Sequence, residues 1–268
     1  MALALLVLLS LIVVLSAYFF SQSWGTSFAS IYAASVDRRL SVNLWILGAV
    51  FIVTQIVLGW FLWRYRKQTV TANSTHSKLV RSSVALEALW FTLAALLFLG
   101  MNLFAARTWA AHGFIGASAK ADPVRIEVTG EQFRWYFRYP GKDEKFGGTK
   151  PELQDASIGN PLGIDPNDKS GEDDRISSVL ILPQGKDVEI TLRAHDVIHG
   201  FFIPALRLKQ DAVPGMSTVI HFAADNPGDY ELVCAELCGL GHHQMNAKVK
   251  VLPQEAFARW LTTQDASK

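Results

Sequence analysis

Three long stretches of this sequence are almost free of charged side chains, and they constrain the fold more than any other feature. Residues 1–20 and 41–63 carry no charge, and residues 86–106 carry only Glu87. Each stretch approaches the ~20 residues that a helix needs to cross the apolar layer of a membrane. A helix is the required form because lipid satisfies no backbone polar group. The sequence therefore predicts membrane-spanning helices within its N-terminal part.

The loops between these stretches predict the orientation. Five basic residues and no acid lie between the second and third stretches: Arg64, Arg66, Lys67, Lys78 and Arg81. Short loops rich in Lys and Arg stay on the cytoplasmic side. We therefore expect a multi-pass membrane protein, with this loop on the cytoplasmic side and everything after Arg107 on the outer side.

The first stretch has two interpretations. A signal sequence would carry basic residues before a shorter apolar run, and this chain has no early basic residue. We therefore favour a retained membrane helix over 1–22, with a signal sequence as the alternative. The predicted organisation continues with a membrane helical hairpin over 41–106, an outer domain over 122–255 and a C-terminal helix or tail over 256–268.

The outer domain shows the period-two alternation of β-strands. Apolar residues alternate over 124–129 and 186–193, and 217–222 and 245–252 follow the same pattern. Between the first two strands, residues 141–175 are rich in Gly, Pro, Asp and Asn, which is typical of a long surface loop. These patterns predict an all-β sandwich or barrel. The net charge of +1 gives no indication of nucleic-acid binding.

One segment of the outer domain concentrates metal-binding side chains. Cys234, Cys238, His242 and Met245 lie within twelve residues, and His195 and His199 lie upstream. Thiolate and thioether are soft ligands that favour copper, although zinc also accepts Cys and His at such spacings. A mononuclear copper site with one Cys would leave the second Cys surplus, whereas two thiolates suit a site in which each sulfur bridges two metals. A local disulfide is the remaining alternative.

The spacing Cys-x-Glu-x-Cys-x3-His-x2-Met, with Asp-Val-Ile-His upstream, closely resembles cytochrome c oxidase subunit II. The resemblance implies transmembrane helices followed by a cupredoxin-like Greek-key barrel that carries a binuclear copper centre. It also implies that the Glu236 side chain reaches a magnesium ion at the contact with the catalytic subunit. The copper ligands implied by the resemblance are His199, Cys234, Glu236 through its backbone carbonyl, Cys238, His242 and Met245.

The resemblance continues outside this motif, over 86–90, 130–136 and 204–215. It makes Glu87 a candidate for proton uptake. It also places Phe133 where many members have the Trp that accepts electrons from cytochrome c. The route of electron uptake and the identity of the donor are therefore left open. If this segment is a strand, Phe133 and Trp135 point to the same face, and Trp135 becomes a second candidate for electron uptake.

The resemblance implies the electron-accepting subunit of a haem–copper oxygen reductase, which is an oxidoreductase and translocase. The implied partners are the catalytic haem–copper subunit I, other oxidase subunits and cytochrome c or a similar donor. The chain itself has no candidate pair of haem-ligating His residues in its apolar stretches, so we expect no oxygen-reduction site in it. The alternatives are the same module in a haem–copper nitric oxide reductase and a membrane-tethered copper-binding or delivery protein.

Overall fold

The computed structural model describes residues 2–21, 27–66, 84–112 and 122–263. Contacts divide the chain into a helical unit, Met1–Gly25 with Asp37–Ala111, and an outer unit, Thr26–Val36 with His112–Lys268. Three N-terminal helices are present: α1 (Ala2–Ser21), α2 (Ile31–Tyr65) and α3 (Val84–His112).

Two of the described helices are long and apolar enough to cross a membrane, Ile31–Tyr65 and Val84–Ala106. At 1.5 Å per residue, the 35 residues of α2 extend about 50 Å, which exceeds the ~30 Å apolar layer. Helix α2 begins ten residues before the uncharged stretch. These additional residues include the charged side chains of Asp37, Arg38 and Arg39. Retention of the first apolar stretch stays a prediction. The basic residues Lys67, Lys78 and Arg81 lie outside the described residues.

Arg39 joins α2 to α3 within the helical unit. Its Nη1 donates to the backbone oxygens of Phe104 at 3.1 Å and Ala105 at 3.0 Å. The guanidinium carbon also lies 5.0 Å from the centre of the Phe104 ring. A guanidinium over an aromatic face gains electrostatic attraction, so this residue links the two helices of the predicted hairpin by both kinds of contact.

The outer unit is a β-sandwich of two five-stranded sheets. One sheet has the order β3-β2-β1-β5-β8 and the other β4-β10-β9-β6-β7. Pairing is parallel between β1 and β5 and between β4 and β10, and antiparallel elsewhere. The described strands are β1 (Val124–Glu131), β2 (Arg134–Tyr139), β3 (Arg175–Ser177), β4 (Leu180–Pro183), β5 (Asp187–Ala194), β6 (His199–Ile203), β7 (Leu208–Ala212), β8 (Thr218–Ala223), β9 (Gly228–Cys234) and β10 (Asn246–Leu252), and a short helix α4 (Gln254–Thr262) follows.

The predicted alternation is present in the strands that enclose the core. Val188, Ile190 and Leu192 of β5 are fully buried, while the residues between them are partly exposed. The buried side chains of the two sheets form one apolar core. The prediction of transmembrane helices followed by an all-β domain is confirmed.

The segment 141–174 is more ordered than a simple surface loop. It contains three short 3-10 helices and returns to the sheet at β3. Arg138 of β2, only 1% exposed, anchors it by contacting Asp174, the Gly147 carbonyl oxygen and the Phe146 ring. Five of the six residues of β2 are buried, and this segment accounts for the burial of Arg138, whose charge would otherwise face solvent.

The start of α2 belongs to the outer unit and is hydrogen-bonded to its β-sandwich. The Ala29 N–H donates to the Ala205 oxygen at 2.7 Å, and the Asp225 carboxylate accepts the Ile31 N–H at 2.7 Å. A carboxylate at this position satisfies a helix N–H that has no partner within the helix, and its charge suits the positive end of the helix dipole. The first residues of α2 are therefore ordered by contacts that lie far away in the sequence.

Candidate metal centre

Strand pairing brings the metal-binding residues to one end of the sandwich. His199 begins β6 and Cys234 ends β9, and these two strands pair through Phe201 and Cys234. The loop between β9 and β10 then returns through a 3-10 helix that contains His242. The Cys234 N–H donates to the Met245 oxygen at 3.0 Å. The two ends of the loop are therefore closed, and its side chains converge.

Two other sulfur atoms and an imidazole nitrogen lie within contact distance of the Cys238 sulfur. Cys238 Sγ is 3.8 Å from Cys234 Sγ, 3.6 Å from Met245 Sδ and 3.5 Å from His242 Nδ1. Cys234 Sγ lies 3.2 Å from the Glu236 carbonyl oxygen. His199, Cys234 and Cys238 each offer a ligand atom within 4.8 Å of the others, and all three are buried. The structure thus brings together all six residues that the resemblance implies.

The His199 ring has one bare nitrogen. Its side chain is fully buried, Nε2 lies 2.7 Å from Asp196 Oδ1, and Nδ1 has no hydrogen-bond partner. Buried polar atoms in proteins are almost always paired. An unpaired imidazole nitrogen beside two thiols fits a bound metal, because such a metal would be its missing partner.

Both cysteines are free thiols, so the disulfide alternative is wrong. Their sulfur separation is well above the ~2.05 Å of a disulfide bond. Burial, followed by the neighbouring Cys234 thiol, raises the pKa of Cys238 to about 11. The metal-free Cys238 thiol therefore keeps its proton near neutral pH, and metal binding has to release it. Thiols, a thioether and imidazoles form a soft donor set that favours copper.

Sequence reasoning missed several residues that shape this centre. A Cβ added to Gly130 would lie 2.9 Å from His199 Cδ2, and one added to Gly200 would lie 2.7 Å from the Ala235 carbonyl carbon. Glycine is required at both positions because other side chains would displace a ligand or its loop. Gln132 is a third example, since its Nε2 donates to the Cys238 oxygen at 2.5 Å. Among the residues around the ligands, only Asp196 could have been identified from the sequence, because it belongs to the Asp-Val-Ile-His motif.

The structure corrects the prediction that Phe133 and Trp135 point to the same face of a strand. Phe133 lies in the turn before β2 rather than in a strand, and it is 36% exposed. Trp135 is 2% exposed and packs edge-on against His199, with ring centres 5.8 Å apart. A Cβ on Gly241 would lie 2.5 Å from Phe133 Cδ2, so Phe133 contacts the loop between β9 and β10 directly. Trp135 is therefore part of the core below the imidazole and is not a surface partner of Phe133.

The other candidate side chains lie elsewhere. Glu87 is in the first turn of α3. The Glu236 side chain is exposed, although its carbonyl oxygen faces the thiols. His243 is exposed next to His242.

Comparisons with known proteins agree with this geometry. The family described as cytochrome C oxidase subunit II, periplasmic domain, matches residues 124–252. The "Alternative cytochrome c oxidase subunit 2" of Bradyrhizobium diazoefficiens is 32% identical over 98% of this chain and 92% of its own length. The chain belongs to the cytochrome c oxidase subunit II family. Subunit II is the electron-accepting subunit of a haem–copper oxidase, and the family implies a copper centre for the cluster described above.

Two further proteins resemble this member of the subunit II family. The cytochrome c oxidase subunit 2 of Cereibacter sphaeroides is 28% identical over 90% of this chain and 80% of its own length. The crystal structure of the periplasmic domain of subunit II from Bradyrhizobium japonicum covers 55% of this chain and 96% of that chain, at 27% identity and a TM-score of 0.40. The two candidate membrane helices and membership of the subunit II family show a membrane protein with a periplasmic-type domain. As a subunit II of an oxidase complex, it associates with other oxidase subunits.

Proposed function

We propose that this subunit II holds a binuclear copper centre and passes electrons from a periplasmic donor, cytochrome c or a similar protein, to the catalytic subunit I. The observation that carries the proposal is the buried cluster of two thiols and a thioether beside a His199 nitrogen without a partner. Bound copper would supply the one-electron chemistry that side chains lack. The proposed ligands are His199, Cys234, Glu236 through its carbonyl, Cys238, His242 and Met245.

The chain's own contribution is to hold these donors still and to exclude water. Cys238 and Met245 are 3% and 1% exposed, and hydrogen bonds close the loop at both ends. Ligands held in this way move little when the charge of the site changes. The exposed Glu236 carboxylate is available to another subunit, so we keep the proposal that it reaches a magnesium ion at the contact with subunit I.

The proposed location is the bacterial inner membrane, with the copper domain on the periplasmic side. The reason is the cluster of basic residues between the second and third apolar stretches, which includes Arg64 and Arg66. Glu87, in the first turn of α3, then lies near the cytoplasmic surface and is proposed to take part in proton uptake. Comparison of turnover by the assembled Glu87→Gln enzyme and the parent tests this role, and equal rates would remove it.

Metal analysis of the purified full-length chain tests the copper proposal. After loading with copper and removal of excess metal, we expect two copper ions per chain and an electron spin resonance signal from an electron shared between them. One copper per chain, or preferential retention of zinc from an equimolar mixture, would exclude the binuclear centre. The same measurement on the copper-free chain provides the baseline.

Electron uptake is proposed to occur at Phe133. This ring contacts the copper-bearing loop, and two apolar side chains of that loop are also exposed, Leu237 by 79% and Leu240 by 98%. Aromatic residues are enriched in protein interfaces, and a partly exposed ring provides a docking contact. We therefore expect Phe133→Ala to slow reduction of the oxidised centre by lowering donor affinity.

Stopped-flow reduction of the assembled enzyme by its donor, over a range of donor and salt concentrations, measures this effect. Phe133→Trp serves as the matched variant and is expected to reduce at least as fast as the parent, because the indole keeps the contact area. A Phe133→Ala enzyme with the parent's rate and affinity would place the docking site elsewhere.

A further inference from the structure

The Asp196 carboxylate connects the His199 ligand to two other segments. Its Oδ1 lies 2.7 Å from His199 Nε2 and accepts the Val197 N–H at 2.7 Å. Its Oδ2 accepts the Gln132 N–H at 2.8 Å. Asp196 lies in the connection between β5 and β6, whereas Gln132 lies in the turn between β1 and β2. One side chain therefore spans the space between two loops and the buried imidazole.

The remaining sides of the imidazole are held by packing. Gly130 lies so close that an added Cβ would be 2.9 Å from His199 Cδ2, and the Trp135 ring contacts the imidazole edge-on. These contacts hold the plane of the ring, and the bond to Asp196 identifies Nε2 as the nitrogen on that side. An ionised carboxylate only accepts hydrogen bonds. Asp196 therefore requires the proton on Nε2, and this tautomer leaves Nδ1, which has no hydrogen-bond partner, with a lone pair that a metal can use.

We propose that Asp196 is a positioning residue of the copper centre, which fixes the tautomer of His199 and sets the reduction potential of the bound metal. The inference rests on the proposed copper function. A carboxylate bonded to the far nitrogen of a ligating imidazole orients the ring and makes it a stronger donor. A stronger donor stabilises the oxidised metal and so lowers the midpoint potential.

The same carboxylate links this ligand to the proposed site of electron uptake. Gln132 precedes Phe133, and besides its N–H bond to Asp196 it donates through Nε2 to the Cys238 oxygen. The turn that carries Phe133 is thus bonded to the His199 segment through Asp196 and to the Cys238 segment through Gln132. Asp196 completes this connection, and its loss frees the turn from one of the two segments.

The test compares full-length, copper-loaded chains that carry Asp196→Asn or Asp196→Ala. An amide at residue 196 offers one accepting oxygen and one donating group, so it can satisfy His199 or Gln132 but not both. We expect copper affinity to fall ~10- to 100-fold in Asp196→Ala, the usual effect of removing such a partner, and less in Asp196→Asn. We also expect a higher midpoint potential and a changed hyperfine coupling of the His199 nitrogen in both variants.

Asp229→Asn is the matched control, because it removes the same charge from an 80% exposed side chain of β9 that pairs with Lys250. It is expected to keep the parental affinity, potential and hyperfine coupling. If both Asp196 variants keep the parental midpoint potential and hyperfine coupling, the inference is overturned while the proposed copper function stands. The same holds if the variants only lower the melting temperature of the copper-free chain and leave the copper-loaded centre unchanged. A parent chain that binds no copper would overturn the proposed function, and this inference with it.

Discussion

Cys238→Ser is expected to abolish the binuclear centre. Cys238 Sγ is the only atom of the described cluster that contacts the other thiol, the thioether and the His242 imidazole together. A serine hydroxyl is a harder donor and stays protonated, so it cannot bridge two soft metal ions. Since the loss of a partner that only hydrogen-bonds to a ligand already costs ~10- to 100-fold in affinity, the loss of this sulfur is expected to cost more than ~100-fold.

The measurement is copper content and the electron spin resonance spectrum of the full-length chain, followed by reduction with the donor. His243→Ala is the matched control, because His243 belongs to the same loop but is exposed and outside the sulfur cluster. This control is expected to keep two copper ions. Retention of two copper ions and of the shared-electron signal by Cys238→Ser would contradict the proposed bridging role.

Arg138→Met is expected to cause the largest loss of stability in the outer domain. The guanidinium is 1% exposed, and it pairs with Asp174, whose side chain is fully buried, and with Glu127 at 2.8 Å. Removal of one member of a buried ion pair leaves an uncompensated charge and typically costs about 3–5 kcal/mol. The segment 141–174 would also lose its anchor on β2, so we expect faster proteolysis within it.

The loss of stability should depend on pH. Burial raises the pKa of Asp174, against the lowering effects of the Gly147 N–H and the Arg138 guanidinium. Without the guanidinium this pKa rises further above its value in the unfolded chain. A raised pKa contributes stability at low pH that is lost as the pH rises through the folded-state pKa. The destabilisation by Arg138→Met is therefore expected to be largest at neutral pH and to shrink as the solution becomes acidic.

Urea unfolding of the chain in detergent, followed by near-ultraviolet circular dichroism at several pH values, measures this difference. Arg193→Met is the control, because Arg193 also contacts Glu127, at 3.4 Å, but its side chain is 42% exposed. Such an exposed pair contributes only about 0–1 kcal/mol. Equal stabilities of the two variants would show that the buried ion cluster does not anchor the segment.

The features that were predicted from the sequence depend on neighbouring residues. The apolar stretches predicted helices because their length and lack of charge are local properties. Helices α2 and α3 confirm two of these predictions, since both are long and apolar enough to cross a membrane. Alternation predicted β1, β5, β8 and β10 to within about two residues at either end, because one side of each strand faces the core. The spacing of Cys234, Cys238, His242 and Met245 likewise lies within one loop, which the structure closes.

The features that sequence reasoning missed depend on residues that are far apart in the chain. Trp135 was expected to share a face with Phe133, but the pairing of β1 with β2 and the packing against His199 place it in the core. Arg138 of β2 is buried because it contacts the segment 141–174, which no local pattern shows. The contact of Asp225 with the start of α2 crosses 194 positions.

The sequence by itself determined the class of this protein, a helical membrane part followed by a β domain with a soft-metal loop. Hydropathy, alternation and ligand spacing are carried by residues within a few positions of one another. Only the tertiary structure decided which nitrogen of His199 is bare, because that choice depends on Asp196, Gly130 and Trp135 from other elements. It also decided that Phe133 touches the metal-binding loop, since the Gln132–Cys238 bond beside it joins residues 106 positions apart.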